Sequence, residues 1–183
     1  VEPDYRSWPG NTKPRDAQGY GSTHYTDHTG RNDIVRAKVS RDATNLYFMV
    51  ECAQPLTPAT DPNWMWLVIR VNPSSVSEPS RRAAAEAPSW EGYHFIVNRT
   101  EPGVLEACTG GWNWKRLGKV RYSVKGNRLE VAMPRKLLNL DPKRPVDISF
   151  KWADNVQKPG DIMDFYVSGD CAPLGRFMWR YRE

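Results

Sequence analysis

No segment of the sequence stays apolar for anything near the ~20 residues that a membrane-spanning helix needs. The most apolar run, Trp64-Met65-Trp66-Leu67-Val68-Ile69-Arg70-Val71, already contains an arginine. Cysteine is sparse: Cys52, Cys108 and Cys171 leave one thiol over whatever pair forms, and none stands at metal-ligand spacing. Free thiols are therefore expected. Histidine is equally sparse, with only His24, His28 and His94. His24 and His28 would share a face only on a helix, and Gly21, Thr23, Thr29 and Gly30 around them argue against both the helix and a zinc site. No nucleophile elbow and no paired-histidine metalloprotease helix is present. That leaves His94 beside a carboxylate as a thin general-base candidate and points away from an enzyme. There is no opening methionine, and Val1-Glu2-Pro3-Asp4 is not a signal peptide. The expectation is a mature or excised part of a longer product.

What the chain has in quantity is punctuation. Its 183 residues include 15 prolines and 13 glycines, which cut it into short elements joined by defined turns. Eight tryptophans exceed the packing needs of one domain of this size. The net charge of +5 is uneven: residues 114–145 hold ten Lys/Arg against two Asp/Glu, and residues 147–175 hold five Asp against two Lys. A basic stretch and an acidic one suit either an internal match or an anionic ligand.

Residues 1–30 show no sustained period and read as an extended arm with loops; residues 31–183 read as one domain. Ile34 to Ser40 and Leu46 to Cys52 alternate as a hairpin about Asp42-Ala-Thr-Asn45. Residues 64–71 split into a core set (Met65, Leu67, Ile69, Val71) and an outward set (Trp64, Trp66, Val68, Arg70). Tyr93 to Arg99 is a further strand, and Glu106 to Lys119 reads as a loop about Gly110-Gly111-Trp112-Asn113-Trp114. Val120 to Val124 and Leu129 to Met133 flank the hairpin signal Lys125-Gly126-Asn127-Arg128. Val146 to Trp152, Ile162 to Val167 and Arg176 to Tyr181 complete the strands. Arg81 to Ala87 and Pro134 to Leu140 are the two short helices. Many short strands between turn signals predict an all-β fold, an antiparallel β-sandwich or jelly roll.

Several motifs in this order resemble the carbohydrate-binding module family 9-like (DOMON-type) sandwich domains. They are Gly30-Arg31-Asn32-Asp33, Asn45-Leu-Tyr-Phe48, Asn63-Trp-Met65, Trp90-Glu-Gly-Tyr93, Glu130-Val-Ala-Met-Pro-Arg135, Phe150-Lys-Trp-Ala-Asp-Asn155 and Gly169-Asp170 through Gly175-Arg176-Phe177. The resemblance runs from about residue 15 to the C-terminus. It implies a non-catalytic, sugar-binding β-sandwich attached to a secreted bacterial polysaccharide-degrading enzyme, with calcium supporting the fold in the founding members. No pair of clamp tryptophans in this chain aligns with theirs.

The residues themselves offer several sites. A sugar ring stacks its C–H patch on indole or phenol and needs polar side chains for its hydroxyls. Trp66, Arg70, Tyr47, His94 and Asn98 lie opposite core residues on their strands and are candidates to line one ligand face; the plainer reading is a second packed layer. Trp112 and Trp114, flanked by glycines and by Lys115 and Arg116, form a second stacking edge; the plainer reading is that one indole plugs the sandwich end. Asp154, Asn155, Asp161, Asp164 and Asp170 are oxygen donors in turns, as calcium requires, or simply turn formers. Met49, Met65 and Met163 are core fillers before they are haem ligands. The basic, aromatic run from Trp112 to Tyr122 matches single-stranded nucleic acid, which the acidic half and the sandwich argue against.

The expected function is therefore a carbohydrate-binding module with no required cofactor, extracellular, acting on a polysaccharide or oligosaccharide beside a catalytic neighbour. The basic stretch points to an anionic glycan. The alternatives are a catalytic polysaccharide-active domain and a structural accessory domain without ligand.

Overall fold

The computed structural model describes residues 15–18, 21, 22, 24–77, 80, 82 and 85–183. Two antiparallel sheets face each other. The smaller runs in the order β3-β4-β10-β9, from β3 (Ile34–Arg41), β4 (Asn45–Cys52), β9 (Arg121–Lys125) and β10 (Arg128–Pro134). The larger has β5 (Trp66–Val71), β6 (Phe95–Val97), β7 (Val104–Gly110), β8 (Asn113–Lys119) and β11 (Asp147–Asp154), with β12 (Asp170–Ala172) and β13 (Trp179–Arg182) sharing the far side of β11. The all-β antiparallel sandwich expected from the turn-rich sequence is the fold observed.

Alternation builds the core. Leu46, Phe48 and Val50 of β4 and Leu129, Val131 and Met133 of β10 face Leu67, Ile69 and Val71 of β5 and Ile148, Phe150 and Trp152 of β11. All are buried, and the Phe48 and Phe150 rings meet edge to face at 5.4 Å. Each such side chain withdrawn from water stabilises the sandwich by about 1.5–3 kcal/mol. A bulge between Ile34 and Arg36 turns Ile34 inward, contrary to simple alternation along β3.

Other expectations change. Trp64 lies before β5 and belongs to the central core, its Nε1 donating to the Thr57 carbonyl at 3.1 Å. The left-handed Asn63 and Met65 (φ 53° and 44°) break the alternation there. Glu106 to Lys119 is no loop: β7 and β8 form a hairpin turning at Gly110 and Gly111, both at positive φ. Ile162 to Val167 contains no strand but the single helical turn α1 (Asp164–Val167). Pro134 to Leu140 holds a 3-10 turn, Arg135–Leu138, closed by left-handed Asn139. Of the segment 81–87, the described part carries one helical bond, from the Glu86 N–H to the Arg82 carbonyl. Within the expected arm, residues 1–14 lie outside the described residues, while β1 (Arg15–Gln18) and β2 (His24–Asp27) pair as a polar hairpin. His24 there contacts Asp16, and exposed His28 lies beyond the strand end.

Candidate functional site

The outward face of the smaller sheet follows from period two and the strand register. Three rows run across β3, β4, β10 and β9: Ser40, Tyr47, Ala132, Arg121; then Lys38, Met49, Glu130, Ser123; then Arg36, Glu51, Arg128, Lys125. Among the described residues no other element lies over the first two rows, and they line an open hollow of about 450 Å³. Its floor is apolar at Tyr47, Met49 and Ala132, which are half-buried, and its rim is charged at Lys38, Arg121 and Glu130, which are exposed. In the third row Glu51 is held between Arg36 at 3.5 Å and Arg128 at 3.2 Å.

Tyr47 is fixed from the preceding turn. Its hydroxyl donates to Asp42 Oδ2 at 2.7 Å, while Asp42 Oδ1 accepts the Thr44 and Asn45 N–H groups, each at 2.7 Å. The Tyr47 bond, with the two turn N–H bonds, holds the Asp42 carboxyl well below the usual carboxylate range, and the same bond raises the phenol. An Asx turn thus pins an aromatic ring on the open face of the sheet.

The outward face of the larger sheet is closed. Trp66, Val68, Ile96 and Ala153 point away from the central core into a second cluster with Trp90, Tyr93, Val156 and Phe165, and Trp112 and Trp114 pack on its edge. The Trp90 ring lies 4.4 Å from Trp112, 6.5 Å from Trp114 and 5.8 Å from Phe165; Trp66 lies 5.6 Å from Trp112. Trp90 Nε1 donates to the Gly160 carbonyl at 3.2 Å. Gly160 sits so close that a β-carbon there would lie 2.9 Å from the Trp112 ring, at a φ of +96°. Asp164 Oδ2 staples this loop by accepting from the Gln157 and Lys158 N–H groups at 2.7 and 2.9 Å and from the Ser168 hydroxyl at 2.5 Å.

The residues singled out in the sequence therefore separate. Trp66 is 1 % exposed and sits inside the second layer, so it does not present a ring to a ligand. Trp112 and Trp114 are half-buried against it. Asn98 is buried in a left-handed turn, donating to the Met65 carbonyl at 2.8 Å and accepting the Gly103 N–H at 2.8 Å. Arg70 is exposed at the rim of the second layer. His94 beside it is half-buried, and its Nδ1 accepts the Val71 N–H at 3.1 Å. Burial, then the Arg70 charge, lowers its pKa. Of the proposed ligand face only Tyr47 stands on an open sheet surface. Its neighbours Lys38, Met49, Arg121, Glu130 and Ala132 were missed, although period two along two recognised hairpins carries their outward direction.

The turn aspartates each have structural partners. Asp154 binds Arg31 Nε at 2.7 Å and the Met65 N–H at 2.9 Å; Asp170 accepts the Ile34 N–H at 2.7 Å; Asp161 accepts the Met163 N–H at 2.9 Å. Asn155 accepts from the Gln157 amide at 2.7 Å. Among the described residues no three His, Cys, Asp or Glu side chains gather as a metal site. Cys52, Cys108 and Cys171 are buried thiols that form no disulfide with one another. Met65 is core, Met163 is exposed, and Met49 floors the hollow. No helix among the described residues is long and apolar enough to cross a membrane. No family model, curated protein or solved structure matches the chain.

Proposed function

We propose that the protein is a non-catalytic carbohydrate-binding module and that the outward face of β3, β4, β10 and β9 is its sugar platform. The observation that carries this is the amphipathic hollow that the other described residues leave open, with pinned Tyr47 beside Met49 and Ala132 and a rim of Lys38, Arg121, Ser123 and Glu130. A pyranose has the same duality: C–H groups that settle on an apolar or aromatic floor, and hydroxyls that need charged or hydroxyl partners at the edge. The motif resemblance to family 9-like modules supports the reading. It extends to a secreted parent in which a neighbouring domain performs the catalysis on a polysaccharide.

The test is affinity electrophoresis of this chain in gels containing a panel of polysaccharides. At least one is expected to retard it, with retardation lost in Tyr47→Ala and unchanged melting of that variant. No retardation in any gel would refute the reading. Retardation that survives Tyr47→Ala but not Trp114→Ala would move the site to the β7–β8 turn.

A further inference from the structure

We propose that the sugar taken by this platform is anionic, a residue bearing a carboxylate or sulfate that meets Arg121 and Lys38. This rests on the platform reading above. Most arginines near carboxylates in this molecule are spent on them: Arg31 on Asp154, Arg99 on Glu106, Arg128 on Glu51, Arg176 on Glu91 and Arg180 on Asp147. Lys38 and Arg121 differ. Both are exposed on the rim of the hollow, and neither has a carboxylate within ion-pair distance among the described residues. The face presents Arg36, Lys38, Arg121, Lys125 and Arg128 against Glu51 and Glu130, with the Asp42 carboxylate at its edge beside Tyr47. Glu51 is occupied by Arg36 and Arg128, and Asp42 by the Tyr47 hydroxyl and two turn N–H groups, so an incoming anion at the rim meets the charges of Lys38 and Arg121.

The geometry also gives the anion a place. Arg121 is on the edge strand β9 in the row of Tyr47, with only Ala132 between them. Strands about 4.8 Å apart put its Cα roughly 10 Å from that of Tyr47, leaving the width of one ring over Ala132. A sugar stacked there turns an acidic substituent towards the guanidinium, which offers a planar fork to carboxylate or sulfate. Glu130, in the next row, accepts hydroxyl protons and disfavours a second acidic group at its own end. The occupant favoured is thus a glycan with spaced charges on a ring that stacks, rather than a uniformly charged polyanion.

Titration calorimetry with the 1–183 chain decides it, using polygalacturonate, dextran sulfate, a neutral xylan and oligothymidylate at two salt concentrations. Expected are binding to polygalacturonate or dextran sulfate at least tenfold tighter than to xylan, weakening with salt. Lys38→Gln and Arg121→Gln are each expected to lose about fivefold, and Lys143→Gln, away from the hollow, nothing. Preference for polygalacturonate assigns a carboxylate, and preference for dextran sulfate a sulfate. Xylan bound as tightly as the acidic polymers, indifferent to salt and to Arg121→Gln, would overturn the anionic assignment while leaving the sugar platform standing. No glycan bound at all would remove the platform reading and this inference together. Oligothymidylate bound as tightly as the glycans would overturn the assignment in favour of a general polyanion surface.

Discussion

The two sheets turn very different side chains outward. β5, β6 and β11 send out Trp66, Val68, Ile96 and Ala153, and the chain covers them with Trp90, Tyr93, Val156 and Phe165. β3, β4, β9 and β10 send out Lys38, Tyr47, Met49, Arg121 and Glu130, and none of the other described residues covers them. An antiparallel sheet can leave one face wet when long polar side chains lie on it, whereas a face of indole and aliphatic groups has to be buried. Covering has its own cost. Among the described residues the Trp66 and Trp114 Nε1 atoms and the Tyr93 hydroxyl are buried without a hydrogen-bond partner, each a loss of about 1–3 kcal/mol that ring packing must exceed. The tryptophans of the covered face are therefore spent on packing, whereas Tyr47 on the open face remains half-buried.

The sharpest way to break this division is to truncate the covered face. Trp66→Ala is expected to cost about 3–5 kcal/mol, a large share of the roughly 5–15 kcal/mol that holds a domain together. Urea unfolding followed by fluorescence measures it. Binding of the folded fraction should be unchanged. A variant of near-native stability that had lost glycan binding would reverse the roles assigned to the two faces.

A second test strikes the join between the covered face and the β2–β3 turn. Arg31 binds both carboxylate oxygens of buried Asp154, at 2.7 and 3.2 Å, and also the Pro62 carbonyl at 2.8 Å. Arg31→Gln leaves that carboxylate without its counter-ion, at an expected cost of about 3 kcal/mol, again read from urea midpoints. A loss below about 0.5 kcal/mol would mean that the pair contributes only local order.

How much of this was readable beforehand depends on the range of the interaction. Alternation in Leu46 to Cys52 and in Val146 to Trp152 is local, and its inward residues are the core residues observed. The Gly126-Asn127 turn likewise joins β9 to β10. The pairing of β10 with β4, which brings Arg121 and Tyr47 onto one surface, links residues some eighty positions apart and leaves no periodic trace. The covering of Trp66 is also non-local: it depends on segments 90–93 and 156–165 folding back over the sheet. Ile162 to Val167 reads as a strand because it is apolar and aromatic, yet the Asp164 staple turns it into a helical corner. The β7–β8 hairpin was hidden because Glu106, which spoils an apolar alternation, is buried by pairing with Arg99 at 2.6 Å.

Lys151 sharpens the comparison from inside the covered face. It is fully buried, donates to the Pro173 carbonyl and lies 5.1 Å over the Phe165 ring. Burial lowers its pKa, outweighing Cys171 and Asp170 nearby. The folded chain then releases this proton at a lower pH than the unfolded chain, whose lysines titrate near 10.4. Between those two values the unfolded state binds more protons, so wild-type stability gains as pH rises. Lys151→Met removes that gain and is expected to raise stability at neutral pH by about 1 kcal/mol. Urea midpoints for both chains from pH 7 to 10 should converge with rising pH. A less stable Met variant at pH 7 would show that the amine holds the layer together.

The smallest effect on stability belongs to the open face. Tyr47→Ala removes a half-buried ring and its 2.7 Å bond to Asp42, but the core face of β4 is untouched, so the cost is about 0.5 kcal/mol. Tyr47→Phe separates ring from anchor. It keeps the stacking surface and releases it from the Asx turn, so it should retain binding with a modest loss, while Tyr47→Ala abolishes it. Melting curves for the two variants, set beside their retardation in the gel that slows wild type, make the comparison. If alanine costs several kcal/mol, the ring is packing and the two outward faces do not differ in kind. If alanine is nearly neutral for folding and phenylalanine retains binding, the open sheet owes its aromatic residue to a ligand, because the fold does not need it.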